Sequence, residues 1–397
     1  MSQNDSRRAG RHFLQIPGPT SVPDRVLRAI DTPVIDHRGP EFARLTRRSI
    51  EGLQSIFKTK NPIIIYTATG TGAWEAALVN TLSAGDKVLF IETGQFAALW
   101  RKLATKFGLV PQTIETDWRT GANPAEIEAT LIQDKQHEIK AVCLLHNETS
   151  TGALSPVQEV RKAMDSAKHP ALLIVDTISS LASTDYQHDE WGVDVSIGGS
   201  QKGLMLPPGM SFNAVSKKAL AAAQDSTLPK AFWSWNDMLD ANRAGHFPYT
   251  PATNMVQGLV TAIDMLHEEG LENVFARHAR LAEATRTAVR EWGLEIICRN
   301  PNHYSPTITA ILLPEHHDAD AFRRKALEEF DISYGASFGP FAGKMFRIGH
   351  LGDTNDLTIL AALAGAEMVL SLAGVPHRPG GVQQAMNYLV SERRQAA

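Results

Sequence analysis

Lys202 stands in the segment Gly198-Gly199-Ser200-Gln201-Lys202-Gly203, downstream of Asp176, which ends the apolar run Leu172-Leu173-Ile174-Val175-Asp176. A lysine amine becomes nucleophilic only when it sheds its proton, and burial or a neighbouring cation promotes that loss. A carboxylate at the end of a buried strand can stabilise a positive charge on a heterocyclic nitrogen. The pair suits a pyridoxal 5'-phosphate site, with Lys202 forming a Schiff base and Asp176 keeping the ring nitrogen protonated. Taken singly, each residue says little. Most lysines are solvated surface charges, and an aspartate at a strand end is commonly a turn or cap residue.

A second feature fits the same chemistry. Thr67-Ala68-Thr69-Gly70-Thr71-Gly72-Ala73 lies between the strand candidate Pro62–Tyr66 and a helix-like stretch, Ala73–Asn80. Glycines let backbone N–H groups converge there, and a helix N-terminus adds the positive end of its dipole, which together suit a phosphate. A dinucleotide fingerprint is the competing reading, but Glu75 stands where its third glycine belongs. A plain strand-to-helix turn is the other.

These residues need a scaffold, and the pattern supplies one. Lys87–Ile91, Ala141–Leu145, Leu172–Val175, Val193–Ile197 and Phe212–Val215 read as further short apolar strands. Helical patterns separate several of them, one near Phe96–Phe107 and one running to Ala167. Ser155-Pro156-Val157-Gln158 opens the latter, with Ser155 as cap and Pro156 in the first turn. Continuous apolar strands with intervening helices predict a mostly parallel sheet covered on both faces. From Met255 to Trp292 the pattern is helical. A second α+β segment follows, with a strand at Thr307–Leu313 and helices at Asp318–Phe330 and Leu357–Leu372. We expect a tail at 1–14, a large domain at 15–265 and a smaller one at 266–397.

The chain has 397 residues, 43% hydrophobic and 21% charged, as a soluble globular enzyme would. A net charge of -4 gives no electrostatic footprint for nucleic acid or an anionic membrane. The basic opening Arg7-Arg8-Ala9-Gly10-Arg11 reads as a solvated terminus. No apolar run reaches the ~18 residues of a membrane span, and no secretory signal is visible. Two cysteines, Cys143 and Cys298, lack metal-ligand spacing and suggest a reducing compartment, so a cytoplasmic enzyme is expected and no metal.

Five motifs occur in order along almost the whole chain: Thr71-Gly72-Ala73, Asn147-Glu148-Thr149-Ser150-Thr151-Gly152, Val175-Asp176-Thr177-Ile178-Ser179-Ser180, Ser200-Gln201-Lys202-Gly203 and Phe346-Arg347-Ile348-Gly349. With Pro17-Gly18-Pro19-Thr20 ahead of them, they resemble the class V, fold-type I pyridoxal-phosphate aminotransferases, specifically the serine–glyoxylate and alanine–glyoxylate group. The resemblance implies an α/β fold, with a large, mostly parallel seven-stranded sheet domain and a smaller C-terminal α+β domain.

The resemblance also implies roles. Lys202 carries the cofactor and shuttles the proton, Asp176 pairs with the pyridine nitrogen, and Ile178 and Phe96 flank the ring. Thr149 or Ser150 meets the phenolic oxygen, while Thr71, Gly72, Ala73 and Gln201 surround the phosphate. Thr250 reaches the phosphate of a neighbouring subunit, so a homodimer or a dimer of dimers with shared sites is expected. Some relatives carry a phosphate-binding tyrosine where Phe247 stands here, and Tyr249 is the candidate to replace it. Arg347 clamps the substrate carboxylate, a task suited to a planar fork. The segment Asp36-His37-Arg38-Gly39-Pro40 lines the site across the dimer, with His37 and Arg38 near substrate. His146 and His350 read as structural or lining residues.

The activity implied is ping-pong transamination from a small L-amino acid, serine foremost, to glyoxylate, giving glycine and hydroxypyruvate. Aspartate and alanine are the rival donors, and Arg38 is the cation a dicarboxylate would want. Cysteine desulfuration would favour a histidine before the lysine, where Gln201 stands, and a cysteine on a polar loop. A regulator that binds the cofactor without turnover would usually carry a DNA-binding module, for which the residues before the first motif leave no room.

Overall fold

The computed structural model describes residues 9–395. Arg7 and Arg8 of the basic opening lie outside them. Seven strands form one sheet in the spatial order Ile63–Tyr66, Ser211–Val215, Val195–Gly199, Leu172–Asp176, Ile139–Leu145, Lys87–Glu92 and Val110–Glu115. Side chains alternate between faces along each strand. Ile63, Ile65, Leu173 and Val175 therefore enter one hydrophobic core, while Ile64, Tyr66, Leu172 and Ile174 enter the other. Burial on both faces is why these strands read as continuous apolar runs. Cys143 belongs to the second core, as its apolar neighbours suggested.

One strand breaks the parallel pattern. Ser211–Val215 runs antiparallel to both of its neighbours, whereas the remaining pairings are parallel. The cause is the connection: residues 200–210 contain no helix, and a parallel return needs a crossover of about a dozen residues or more. Ser155 also departs from expectation. The helix Val157–Ser166 has Pro156 at its cap position and no side-chain cap. The Ser155 hydroxyl instead accepts from the Ala122 N–H at 3.1 Å.

The helix Thr253–Glu269 packs on Asp24–Ile30 and Pro40–Phe57, so a border at 265/266 falls inside it. The chain turns at Gly270, whose φ of 84° is left-handed, and continues as the helix Leu271–Trp292. Beyond that helix lies a three-stranded antiparallel sheet of Glu295–Ile296, Ile308–Leu312 and Met345–Gly349. Phe13–Gln15 pairs in parallel with Ile332–Tyr334. Residues 13 and 14 are thus strand rather than tail, and Gln15 is tied to the C-terminal unit. Among the described residues, no helix is long and apolar enough to cross a membrane.

Candidate active site

Asp176 closes its strand at the carboxyl edge of the sheet, where open α/β sheets place ligands. Its Oδ1 accepts the Ile178 N–H at 2.7 Å and its Oδ2 accepts the Trp74 indole N–H at 2.6 Å. Burial pushes its pKa up to about 7, against the pull of those two bonds. Lys202 follows the neighbouring strand Val195–Gly199. Its Nζ donates to the Pro17 carbonyl. Burial, and then the Arg347 charge, lower its pKa to about 7, while Asp176 opposes them.

The segment leaving Phe13–Gln15 crosses directly over this lysine. Thr20 N–H donates to the Gln201 carbonyl at 3.1 Å, and the Thr20 hydroxyl to that of Lys202 at 3.2 Å. At Gly18, with φ +89°, a Cβ would lie 2.6 Å from Lys202 Nζ. Only glycine lets the chain pass here.

Lys202 and Asp176 line a cavity of ≈ 300 Å³. At one end the helix Gly70–Thr81 presents its first turn, with Thr69 as cap residue, no side-chain cap and no acidic residue. Thr69, Gly70 and Thr71 line the cavity there, together with Gln201, whose buried Oε1 has no hydrogen-bond partner. Gly72 and Ala73 do not line it. The Gly72 N–H is taken by the Thr69 carbonyl at 2.9 Å, and a Cβ at 72 would lie 2.7 Å from Trp233 Cη2. Gly72 therefore makes room for a tryptophan, and Ala73 is core. Gly70 is the glycine that matters to the cavity, because a Cβ there would collide with Ile178 Cδ1. Ile178 and Phe96 are the apolar walls.

Thr149 and Asn147 also line the cavity, and Ser150 does not. The Ser150 hydroxyl donates to Glu148 at 2.6 Å and accepts the Gln95 N–H at 2.9 Å. Glu148 is wholly buried and also accepts the backbone N–H groups of Ala97 and Ser150, at 3.2 and 2.9 Å. This ties the wall that carries Phe96 to the turn that carries Thr149. Burial raises the Glu148 pKa.

Arg347 does not itself line the cavity; it comes from the C-terminal sheet and is bonded to the backbone of Thr149, which does. Strand alternation sends Phe346 and Ile348 into the C-terminal core and Arg347 to the opposite face. Its Nη1 donates to the Thr149 carbonyl at 2.6 Å and its Nε to that of Ala336 at 2.7 Å. Burial lowers its pKa to about 10, with Glu148 opposing.

Arg38 and Thr250 are exposed and lie outside this cavity. Arg38 Nη1 is 2.7 Å from His37 Nε2. Tyr249 stacks on Phe232 with ring centroids 5.2 Å apart, and Phe247 packs against Phe42. His146 is buried against Tyr186 and Trp191 and bonded to Ser180; burial lowers its pKa to about 3. His350 is buried between Thr309 and the Pro306 carbonyl. Both are structural. Among the described residues no group of three His, Cys, Asp or Glu could hold a metal.

The sequence places Thr69 and Gly70 within the phosphate-binding turn but assigns no role to Trp74 or Asn147. Trp74 had a signal, since it follows Thr71 by one helical turn and shares its face. A second cleft of ≈ 380 Å³, flanked by Phe13–Gln15, Thr20 and Thr354, contains none of these groups. Chemistry selects the smaller one. A helix N-terminus for an anion, two apolar walls, a buried carboxylate and a deprotonatable lysine together fit pyridoxal 5'-phosphate.

Comparison with known proteins agrees. The family model described as aminotransferase class-V matches residues 12–336. The serine–glyoxylate aminotransferase of Methylorubrum extorquens is 48% identical over 391 residues, 97% of each chain. The L-aspartate–glyoxylate aminotransferase of Paracoccus denitrificans is 44% identical over 94% of this chain and 95% of its own. The crystal structure of the ureidoglycine–glyoxylate aminotransferase from Bacillus subtilis superposes with a TM-score of 0.88 at 28% identity, covering 96% of this chain and 99% of that one. The fold, the site and these matches make this chain a member of the class-V aminotransferase family.

Proposed function

We propose that this enzyme transfers the amino group of L-serine to glyoxylate, yielding hydroxypyruvate and glycine by a ping-pong course. Its cofactor is pyridoxal 5'-phosphate. The observation that carries the reading is the convergence of Lys202, Asp176 and Thr149 on one cavity, with Arg347 anchored to the Thr149 carbonyl. Bound there, the cofactor would hold the donor nitrogen covalently and withdraw electrons from the donor Cα.

The chain's own residues do the rest. Lys202, with its pKa lowered to about 7, serves as the base that takes the Cα proton and later returns it. Asp176 holds positive charge on the ring nitrogen. Thr69, Gly70 and Thr71 offer the helix N-terminus to the phosphate, with Gln201 beside them. Ile178 and Phe96, the apolar walls of the cavity, would hold the ring between them. Thr149, which lines the cavity where Ser150 does not, would turn its hydroxyl from Ser179 Oγ, 2.6 Å away, to the phenolic oxygen. Arg347 fixes the carboxylate of donor and acceptor alike.

Serine is favoured over aspartate because the Methylorubrum relative, 48% identical, is named for serine. The Paracoccus relative keeps aspartate as the rival donor, with exposed Arg38 as the cation it would use. The exposure of Thr250 and Arg38 supports a homodimer in which both serve a neighbouring site. Two buried free thiols support a cytoplasmic setting. Initial-rate kinetics test the reading: serine and glyoxylate should give parallel double-reciprocal lines, and intersecting lines or no turnover would reject it.

A further inference from the structure

Arg347 is held more firmly than its hydrogen bonds alone require. A guanidinium has five N–H hydrogens; one goes to Ala336 and one to Thr149. That leaves three for a ligand. The flat guanidinium also lies over the ring of Phe338, 4.9 Å from its centroid. Phe338 in turn meets Phe96 edge to face, with centroids 6.0 Å apart at 71°. One ring therefore touches both the carboxylate clamp, on the C-terminal side of the chain, and the cavity wall, on the N-terminal side.

The loop that carries Phe338 is seated in an unusual way. Gly339 has a φ of +54°, and a Cβ there would lie 2.7 Å from Trp118 Cη2. Trp118 itself has a φ of 61°. A bulky aromatic in the left-handed region is strained and persists only where its surroundings impose it. The Thr116 hydroxyl does so, accepting the Trp118 N–H at 3.1 Å while donating to the Glu92 carbonyl at 2.9 Å. The strained residue turns its indole onto the backbone of Gly339, next to Phe338. Gly335, on the other side of Phe338, is equally confined: a Cβ would lie 2.7 Å from Pro17 Cδ and 3.2 Å from Arg347 Nε.

We propose that Phe338 is a positioning residue for the substrate carboxylate, and that the Trp118–Gly339 contact sets its place. The proposal rests on the reading of Arg347 as the clamp. The ring covers one face of the guanidinium, keeps water from it and confines the free N–H groups to one plane. Cation–π contact is worth roughly 2- to 5-fold in affinity at exposed sites and roughly 30-fold at desolvated ones.

Phe338→Ala should raise KM for both L-serine and glyoxylate roughly tenfold, with kcat changed less than about twofold. Phe338→Tyr, which keeps the ring face, should restore KM. Gly339→Ala, which disturbs the seat and not the ring, should raise KM in the same direction. Adding it to Phe338→Ala should have little further effect, since both act through one contact. Calorimetric titration of the holoenzyme with propionate, a carboxylate that cannot transaminate, reads the clamp without turnover and should weaken in parallel. Unchanged KM and propionate affinity in Phe338→Ala would overturn the proposal, and so would failure of Phe338→Tyr to restore them. If the wild type binds propionate without transaminating serine, the proposed function fails instead, and the propionate arm still decides the role of Phe338.

Discussion

The indole N–H of Trp74 donates to Asp176 Oδ2 at 2.6 Å inside a fully buried pair. It is one of two bonds that restrain the rise of the Asp176 pKa, the other coming from the Ile178 N–H. A hydrogen bond to a charged group is worth about 1.5–3 kcal/mol. Trp74→Phe should therefore raise the Asp176 pKa further and lower kcat by about tenfold or more at pH 7. The acid limb of the kcat profile should move to higher pH. An unmoved limb in Trp74→Phe would show that the indole does not tune the carboxylate.

Asp176→Asn removes the charge outright while keeping shape and size. Retained cofactor with a kcat lowered by at least about a hundredfold is the expected outcome, since that corresponds to about 2.7 kcal/mol of lost stabilisation. Cofactor content by absorbance, together with steady-state rates, checks both halves.

Lys202 predicts a pH dependence with a definite sign. Its amine is free above a pKa of about 7, and only the free amine can bond to the cofactor aldehyde. Attachment of added pyridoxal phosphate to the apoprotein, followed as growth of the visible band, should accelerate as pH rises through about 7. A lysine with its ordinary pKa of about 10.4 would show that rise some three units higher.

Arg347→Lys keeps the charge and loses the fork. KM for every amino donor and for glyoxylate should rise, by about tenfold or more, because lysine cannot bond a carboxylate bidentately from a fixed plane. A KM set unaffected by the change would remove Arg347 from the clamp.

Much of this site was legible in local sequence because its parts lie at the ends of regular elements. Asp176 ends an apolar strand, Lys202 follows another, and Thr71 sits in a Gly-rich helix start; each has a short-range signature. The long-range partners had none. Trp74 meets Asp176 across 102 positions, and the Thr149 carbonyl meets Arg347 across 198. Gly72 has the setting of a phosphate glycine, yet it is small for the sake of Trp233, a neighbour that only the fold supplies. Ser155 looked like a helix cap and was drawn away by Ala122. The reversed strand Ser211–Val215 follows from a connection with no helix in it, a feature the apolar runs alone do not encode.

The most direct test is the visible spectrum of the purified protein during titration with L-serine, with L-aspartate in parallel and no acceptor present. The absorbance of the lysine-bound cofactor should bleach with serine, more readily than with aspartate, and return on adding glyoxylate. No visible band, even after pyridoxal phosphate is supplied, would contradict the assignment of Lys202 itself.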